Sequence, residues 1–185
     1  AFFSENGKVA LINPKTDKHI ISFYFEPPLI SIKYCRILNG IIGISGAFSG
    51  KLQIYSFEEN KIIFNETIAI QGFKFLDLQP NENFILLIDS RTLILFSLQS
   101  LTIYQKFDIS NYDISWAWYL SSELVLLLSR KGTAYLYNIY KKSIIKNQSL
   151  SSEPINNAIF SFERTKILLF TENYKIKVIE IPNLN

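Results

Sequence analysis

The sequence is poor in the residues that most often carry chemistry. It contains one cysteine, one histidine and no methionine among 185 residues. A single cysteine, Cys35, excludes an internal disulfide and agrees with a reducing compartment. One Cys and one His cannot complete a four-ligand metal site. The sequence therefore predicts neither a disulfide scaffold nor a metal centre, and no motif in it calls for another cofactor.

Motifs for catalysis are also missing. His19 stands before an apolar stretch, and no nucleophile or orienting carboxylate can be assigned to it from a motif. The only adjacent pair of carboxylates, Glu58-Glu59, falls in a predicted turn. We therefore expect a protein without enzymatic activity.

Charge is sparse, and long apolar runs are absent. Charged residues make up 19% of the chain and the net charge is +3, which permits an anionic partner but does not demand one. No charge-free apolar run reaches the roughly 18 residues that span a bilayer. No basic-then-apolar leader opens the sequence. Together with the single cysteine, these features predict an intracellular protein of a reducing compartment, the cytoplasm or nucleus.

One short turn-and-strand pattern is present five times. Its aligned turn positions are Gly7, Gly50, Arg91, Gly132 and Tyr174, which are 43, 41, 41 and 42 residues apart. A period near forty residues is typical of propeller blades. The approximate repeats are 1–30 (partial), 31–70, 71–110, 111–152 and 153–185 (partial), and we treat 1–185 as one propeller domain or a fragment of one.

Within each repeat, apolar runs rich in β-branched and aromatic residues alternate with turn residues, which predicts closely spaced antiparallel strands. The third run of a repeat is apolar at both parities, as in Leu93 and Leu95 against Ile94 and Phe96. Because one-sided burial would leave polar residues at one parity, each sheet should lie between two others. We expect an all-β propeller of four-stranded antiparallel blades, three complete and two partial. The predicted strands are 9–13, 19–25, 31–38, 41–47, 51–57, 61–68, 73–78, 84–89, 93–98, 102–109, 114–120, 124–129, 133–140, 143–150, 155–162, 166–171 and 175–181.

These segments resemble the blades of WD-repeat (WD40-like) propellers. The third strand of that family ends in an aromatic-then-acid pair after a Gly turn, and its counterparts here are Ile12-Asn13, Tyr55-Ser56, Phe96-Ser97, Tyr137-Asn138 and Ile179-Glu180. The turn Gln79-Pro80-Asn81-Glu82 is similar to the family's turn between first and second strands. The sequence has no Trp-Asp pair and no Gly-His pair before a first strand, so the family's buried polar network is not expected.

The resemblance implies that loops entering first strands, and loops between second and third strands, open on one face that holds partners. Arg and Tyr are over-represented among interface hot spots. The predicted partner-binding residues are Arg91, Asn111, Tyr112, Trp116, Arg130, Lys131 and Tyr174. An ordinary loop role is the alternative for each loop residue. Trp116 and Trp118 share one parity of the predicted strand 114–120, and packing between blades is the structural reading of both, while an anchor on the open face is the functional reading of a Trp near the start of that strand.

The expected function is a non-catalytic scaffold for assembly of a multiprotein complex. The alternative is binding of RNA or anionic lipid headgroups by the same face. The basic pairs Arg130-Lys131 and Lys141-Lys142 fall at opposite ends of one predicted strand, so they do not form a single basic track.

The partial repeats at both ends predict exposed strand edges. Three complete and two partial repeats are fewer than the family usually has. We expect that further chain or a partner supplies the missing strands or blades. A small closed ring, in which an N-terminal strand completes the last repeat, is the alternative.

Overall fold

A computed structural model describes residues 2–46, 50–68, 72–89, 91–161 and 163–181. Within these ranges the chain forms eighteen strands and no α-helix. The strands belong to two compact units, Ala1–Leu76 and Asp77–Asn185. The prediction of one domain over 1–185 stays a prediction.

The first unit holds two antiparallel sheets. Its strands are β1 (Phe2–Phe3), β2 (Lys8–Ile12), β3 (His19–Tyr24), β4 (Leu29–Cys35), β5 (Gly40–Ser45), β6 (Lys51–Ser56) and β7 (Lys61–Thr67). The first sheet has the order β1-β2-β3 and the second the order β4-β5-β6-β7. The sheets pack through a core that includes Val9, Phe23, Leu29 and Ile41. Phe23 also stacks on Tyr55 with ring centroids 3.8 Å apart.

The unit boundary along the chain falls inside β8, and three more antiparallel sheets follow. Their strands are β8 (Phe75–Leu78), β9 (Phe84–Ile88), β10 (Thr92–Ser97), β11 (Thr102–Asp108), β12 (Ile114–Tyr119), β13 (Leu124–Ser129), β14 (Thr133–Asn138), β15 (Ser143–Ser149), β16 (Ile155–Phe160), β17 (Lys166–Thr171) and β18 (Ile176–Glu180). The third sheet has the order β11-β10-β9-β8, the fourth β12-β13-β14-β15 and the fifth β16-β17-β18.

The sheets of the second unit stack through their apolar faces. Phe107 of the third sheet contacts Tyr137 of the fourth, with ring centroids 4.6 Å apart. Trp118 of the fourth sheet stacks on Phe160 of the fifth at 5.2 Å. On β10, both parities are buried, as expected of a strand covered on two sides.

The first four sheets share one irregularity. In each of them the pairing between the last two strands along the chain shifts register by one residue, and these pairs are β2–β3, β6–β7, β10–β11 and β14–β15. The extra residues at these β-bulges are Ile20, Ile63, Tyr104 and Ile145. Bulges bend a strand and increase its twist.

One predicted turn differs in the structure. The predicted strands 31–38 and 41–47 leave Asn39-Gly40 as a two-residue hairpin turn, but Gly40 already belongs to β5 and pairs with Cys35. The turn spans 36–39, with the amide of Asn39 donating to the carbonyl of Arg36 at 3.0 Å and Asn39 at φ 40°. Gly40 is needed because a Cβ there would lie 2.2 Å from the carbonyl oxygen of Tyr55.

Antiparallel four-stranded sheets in consecutive strand order, stacked on one another by apolar faces, are the blades of a β-propeller. The predicted fold class is therefore confirmed, with three four-stranded sheets and two three-stranded ones.

Candidate functional site

All seven predicted partner-binding residues lie in the unit Asp77–Asn185. Six of them are in loops that join the second strand of a sheet to the third, or one sheet to the next. Trp116 is the exception, because it lies within β12. We call the loops around Arg91 and over 109–113, 130–132, 150–154 and 172–175 the loop rim.

Backbone hydrogen bonds join the first part of the loop rim. The amide of Ile109 donates to the carbonyl of Arg91 at 2.7 Å, and the amide of Arg130 donates to the carbonyl of Asp113 at 3.3 Å. Arg91 and Arg130 belong to the third and fourth sheets. The loops of these two sheets are therefore connected through the segment that carries Asn111 and Tyr112.

The connection continues to the fifth sheet. The amide of Ile155 donates to the carbonyl of Arg130 at 2.8 Å, and the amide of Glu172 donates to the carbonyl of Pro154 at 3.1 Å. The turn at Tyr174 follows directly and is closed by the amide of Tyr174, which donates to the carbonyl of Thr171 at 3.1 Å. The six predicted loop residues thus lie on one hydrogen-bonded border.

The Arg91 turn is built on a buried carboxylate. Oδ1 of Asp89 accepts the amides of Arg91 and Thr92, each at 2.6 Å. This arrangement leaves the Arg91 side chain exposed. Hydrogen bonds from Ser110, with a smaller contribution from the Arg91 guanidinium, lower the pKa of the Asp108 carboxyl. Asp108 therefore stays ionised next to Arg91.

A depression adjoins this turn, and its lining residues are Arg91, Thr92, Lys106, Asp108 and Ser110. Gln105 and Phe107 contact Tyr137 of the fourth sheet, with Nε2 of Gln105 donating to the Tyr137 hydroxyl at 2.7 Å. Lys106 and Asp108 alternate with them along β11 and so point to the opposite face. The depression is therefore lined by two cationic side chains, Arg91 and Lys106, and by the carboxylate of Asp108.

The central part of the rim presents Arg130 and Lys131, both exposed. Gly132 follows at φ 86°, and a Cβ there would lie 2.3 Å from the carbonyl oxygen of Ser151. Nearby, the half-buried Tyr112 packs edge to face on Tyr135, with ring centroids 5.0 Å apart. Exposed Asn111 lies beside Tyr112 in the same turn.

The far end of the rim carries its most exposed aromatic residue. The Tyr174 side chain is 98% exposed, and its backbone has φ 57°. Next to it, Nζ of Lys175 contacts Oε1 of Glu153 at 2.8 Å. This hydrogen bond, with a second one to Thr171, lowers the pKa of the Glu153 carboxyl.

The two tryptophans differ in their surroundings. Trp118 is buried against Phe160 of the fifth sheet, so its predicted packing role between blades is confirmed. Trp116 is half-buried and follows a register shift between Ile114 and Trp116. Its role as a partner anchor stays a prediction, as does that of the six loop residues.

A polar cluster that the sequence did not predict lies at the other ends of these strands. Nη1 and Nη2 of Arg164 donate to the two carboxylate oxygens of Asp77, at 3.1 and 3.3 Å. Nη2 also donates to the carbonyl of Leu78 at 3.3 Å, and Nη1 to the carbonyl of Tyr119. The Tyr119 amide in turn donates to Asp77 at 3.0 Å.

This cluster joins the third, fourth and fifth sheets. Asp77 is 2% exposed, so the guanidinium and amide partners compensate the desolvation of its carboxylate. Burial, followed by the Asp77 charge, raises the pKa of the Tyr119 hydroxyl well above its usual value. That hydroxyl has no hydrogen-bond partner among the described residues. The only sequence signal was Asp77 itself, a carboxylate within an apolar run.

No group of three or more His, Cys, Asp or Glu side chains in the described ranges could hold a metal ion. His19 is exposed, and its Nε2 is 2.6 Å from the Ser22 hydroxyl. Cys35 is buried. In the described part of the chain, no helix is long and apolar enough to cross a membrane.

The fold and the rim define a β-propeller protein with an exposed, mixed-charge loop border. Comparison of the sequence with protein-family models and with curated proteins finds no match to either. The WD-repeat resemblance stays a prediction.

Proposed function

We propose that this chain is a non-catalytic, intracellular platform for protein-protein assembly, and that partners dock on the loop rim. The observation that supports this proposal is the series of backbone hydrogen bonds that joins the rim loops from Arg91 to Glu172. Loops held in this way keep their side chains at set separations. A partner can then contact several loops without first ordering them.

The side chains on the rim suit protein contacts. Arg130, Lys131 and Tyr174 are exposed. Tyr and Arg combine large contact area with directional hydrogen bonds, and a few such anchors carry most of the energy of an interface. The WD-like resemblance belongs to this proposal, since that family commonly holds partners on the corresponding face.

The charge on the rim favours protein partners over phosphate-rich ones. Besides the cations, the rim exposes the carboxylates of Asp113 and Glu172, and Asp108 lies at its border. Nucleic acids and anionic lipid surfaces select clusters of positive charge with few carboxylates among them. A rim that carries both positive and negative charges is better matched to a protein surface that also carries both.

The proposal can be tested by site-specific photocrosslinking of the full chain in extracts of its source cells. One sample carries a photoreactive phenylalanine derivative in place of Tyr174, and the control carries it in place of Tyr140. Tyr140 is also exposed, but it lies in the β14–β15 turn at the opposite strand ends. We expect a reproducible set of protein adducts from position 174 that is absent from position 140.

Equal adducts from both positions, or none from position 174, would remove the rim as a docking face. Adducts with RNA, together with binding that falls steeply as salt is added, would instead favour the phosphate-binding alternative. Binding to vesicles that contain phosphoinositide would favour recognition of anionic lipid headgroups. A protein interface of mixed charge weakens less steeply with added salt than a phosphate contact does, and this shallower dependence is the result we expect.

A further inference from the structure

The charged residues of the depression beside Arg91 are peculiar to the third sheet. In the last strands of the other sheets, the positions aligned with Lys106 carry Ser22, Asn65 and Asn147, and those aligned with Asp108 carry Tyr24, Thr67 and Ser149. At the Arg91 position the other repeats have Gly or Tyr. Because each repeat is the same structural unit, a residue that the blade itself requires would recur in the other blades. The blade structure does not require these three charges.

The depression belongs to a complete sheet. The third sheet has all four of its strands, so this surface does not arise at an end of the chain. Asp108 is aligned with Thr92 across β10 and β11, and Lys106 lies two residues before Asp108 on the same face. The carbonyl of Arg91 accepts the amide of Ile109 at 2.7 Å, which holds the Arg91 turn beside the end of β11. The cavity has a volume of about 980 Å³, in the size range of known ligand sites.

The two cations of this cavity are unpaired. In the described part of the chain, neither the Arg91 guanidinium nor Nζ of Lys106 forms a salt bridge. All 16 Asp and Glu residues of the sequence lie within the described ranges, so the chain holds no further acidic side chain that could pair with them. The carboxylate of Asp108 already accepts the amide of Ser110 at 2.8 Å and a hydrogen bond from the Ser110 side chain. The donors of Arg91 and Lys106 remain available to a ligand.

Two other sheets show how the fold neutralises a cation at the corresponding edge. Nζ of Lys51 is 2.5 Å from Oε1 of Glu26 in the second sheet, and Nζ of Lys175 is 2.8 Å from Oε1 of Glu153 in the fifth. Each Lys directly follows the aligned turn position, and each Glu precedes a Pro in the segment that enters the first strand of its sheet. The segment that enters the third sheet, 68–74, contains no acidic residue. The third sheet therefore lacks the carboxylate that these two sheets supply from within.

We propose that the depression lined by Arg91, Thr92, Lys106, Asp108 and Ser110 binds an aspartate or glutamate side chain of a partner protein. The Arg91 guanidinium and the Lys106 ammonium group donate to the incoming carboxylate, and the hydroxyls of Thr92 and Ser110 line the same cavity. The third sheet has Thr92 where the second and fifth have Lys, and it carries its cation one residue earlier. The proposal rests on the function proposed above, because it gives the chemistry of the partner at the Arg91 end of the loop rim.

Asp108 makes the site select a carboxylate over a phosphate group. Two positive side chains and one negative side chain leave the cavity with a net charge of +1, which one carboxylate neutralises. A phosphate ester carries more than one negative charge at neutral pH. It would therefore be repelled more strongly by Asp108, whose carboxylate faces the same cavity.

The probe is the peptide acetyl-Ser-Ser-Glu-Ser-Ser-amide, which carries one negative charge. Its binding to the full 185-residue chain is followed through the side-chain NMR signals of Arg91 and Lys106. We expect saturable shifts at both, and clearly smaller shifts at Arg130, an exposed cation outside the depression. The same peptide with Gln in place of Glu is the matched control and should shift neither signal.

Variants test the role of each charge. We expect Arg91→Gln and Lys106→Gln each to weaken binding of the Glu peptide about two- to fivefold, the effect of one solvent-exposed ion pair. Arg130→Gln is the control variant and should leave the affinity unchanged. Asp108→Asn should strengthen binding of a peptide with phosphoserine in place of Glu by a larger factor than binding of the Glu peptide.

Three results would overturn the site. These are equal shifts at Arg130 and Arg91, equal shifts with the Gln peptide, and unchanged affinity in both the Arg91 and the Lys106 variants. Tighter binding of the phosphoserine peptide than of the Glu peptide to the native chain would overturn the choice of a carboxylate.

Carbodiimide coupling of the chain without peptide tests whether the protein fills the site itself. We expect no amide bond from Lys106 to any carboxylate other than that of its neighbour Asp108. A bond to another carboxylate of this protein would overturn the assignment to a partner, and its dependence on protein concentration would tell a second copy from the same copy.

The crosslinking experiment at Tyr174 fails or succeeds separately from these measurements. Rim adducts without peptide binding would overturn the acidic-residue site and leave the platform standing. Peptide binding without rim adducts would support the site and remove the platform.

Discussion

At the scale of single residues, backbone geometry explains three of the five aligned turn positions. Gly7, Gly132 and Tyr174 all have positive φ, at 87°, 86° and 57°. Glycine adopts this conformation without steric cost, whereas an L residue such as Tyr174 adopts it at a cost of about 1–2 kcal/mol. The glycines also allow close approach, since a Cβ on Gly7 would lie 2.1 Å from the carbonyl oxygen of Phe25.

We expect Gly132→Ala to destabilise the protein by more than Gly72→Ala. Both glycines have positive φ, so both variants lose the roughly 1–2 kcal/mol of the left-handed conformation. Only Gly132 also faces a backbone atom, the Ser151 carbonyl oxygen, whereas no atom lies within 4 Å of a Cβ on Gly72. Urea unfolding midpoints of the two variants measure the difference. Equal losses would show that the close approach carries no cost.

At the scale of strands, the hydrophobic pattern predicted most of the structure. Apolar residues at both parities of β10 correctly indicated a strand covered on two sides. The same pattern in β18 predicted the same burial, but Ile176 and Val178 are 61% and 57% exposed, because they lie on the face of the fifth sheet that does not pack on the fourth. The bulges at Ile20, Ile63, Tyr104 and Ile145 were not predicted. A single extra residue leaves the apolar composition of a strand unchanged, so periodicity does not reveal it.

The two tryptophans of β12 differ in burial, so their substitutions should differ in their effect on stability. We expect Trp118→Ala to cost about 3–5 kcal/mol of unfolding free energy, since it deletes a buried ring stacked between two sheets. Trp116→Ala should cost clearly less, because Trp116 is only half-buried. Urea unfolding monitored by far-UV circular dichroism compares the two variants without depending on Trp fluorescence. A larger loss for Trp116 would contradict the assignment of Trp118 as the packing residue.

At the scale of the whole molecule, the three sheets of the second unit are connected to one another at both ends of their strands. The loop rim joins them through backbone hydrogen bonds, and the sequence predicted its residues because turn positions recur with the repeat. The cluster of Asp77 and Arg164 joins the other ends, across a separation of 87 residues. The sequence could not predict this contact, because Arg164 lies in a polar turn and no local pattern relates it to Asp77.

We expect Arg164→Met to destabilise the second unit by about 2–4 kcal/mol, because it leaves the buried Asp77 carboxylate without its cation. The loss should be below that of a fully buried pair, because the Arg164 side chain is 30% exposed to water. The double variant Asp77→Asn with Arg164→Met is the control, and it should recover part of the loss because no buried charge remains. A double variant at least as unstable as Arg164→Met would contradict an electrostatic role for the pair. Chemical unfolding of the three proteins measures these differences.

The measurement that bears most directly on the stacked-blade structure is residue-resolved hydrogen exchange of the dilute 185-residue chain. Third strands between two neighbours have both edges paired, so the amides of β10 and β14 should exchange slowly along their whole lengths. Within the described ranges only one edge of β18 is paired, so about half of its amides should exchange fast. Fast exchange throughout β10 and β14, or uniformly slow exchange in β18, would contradict the arrangement of blades described above.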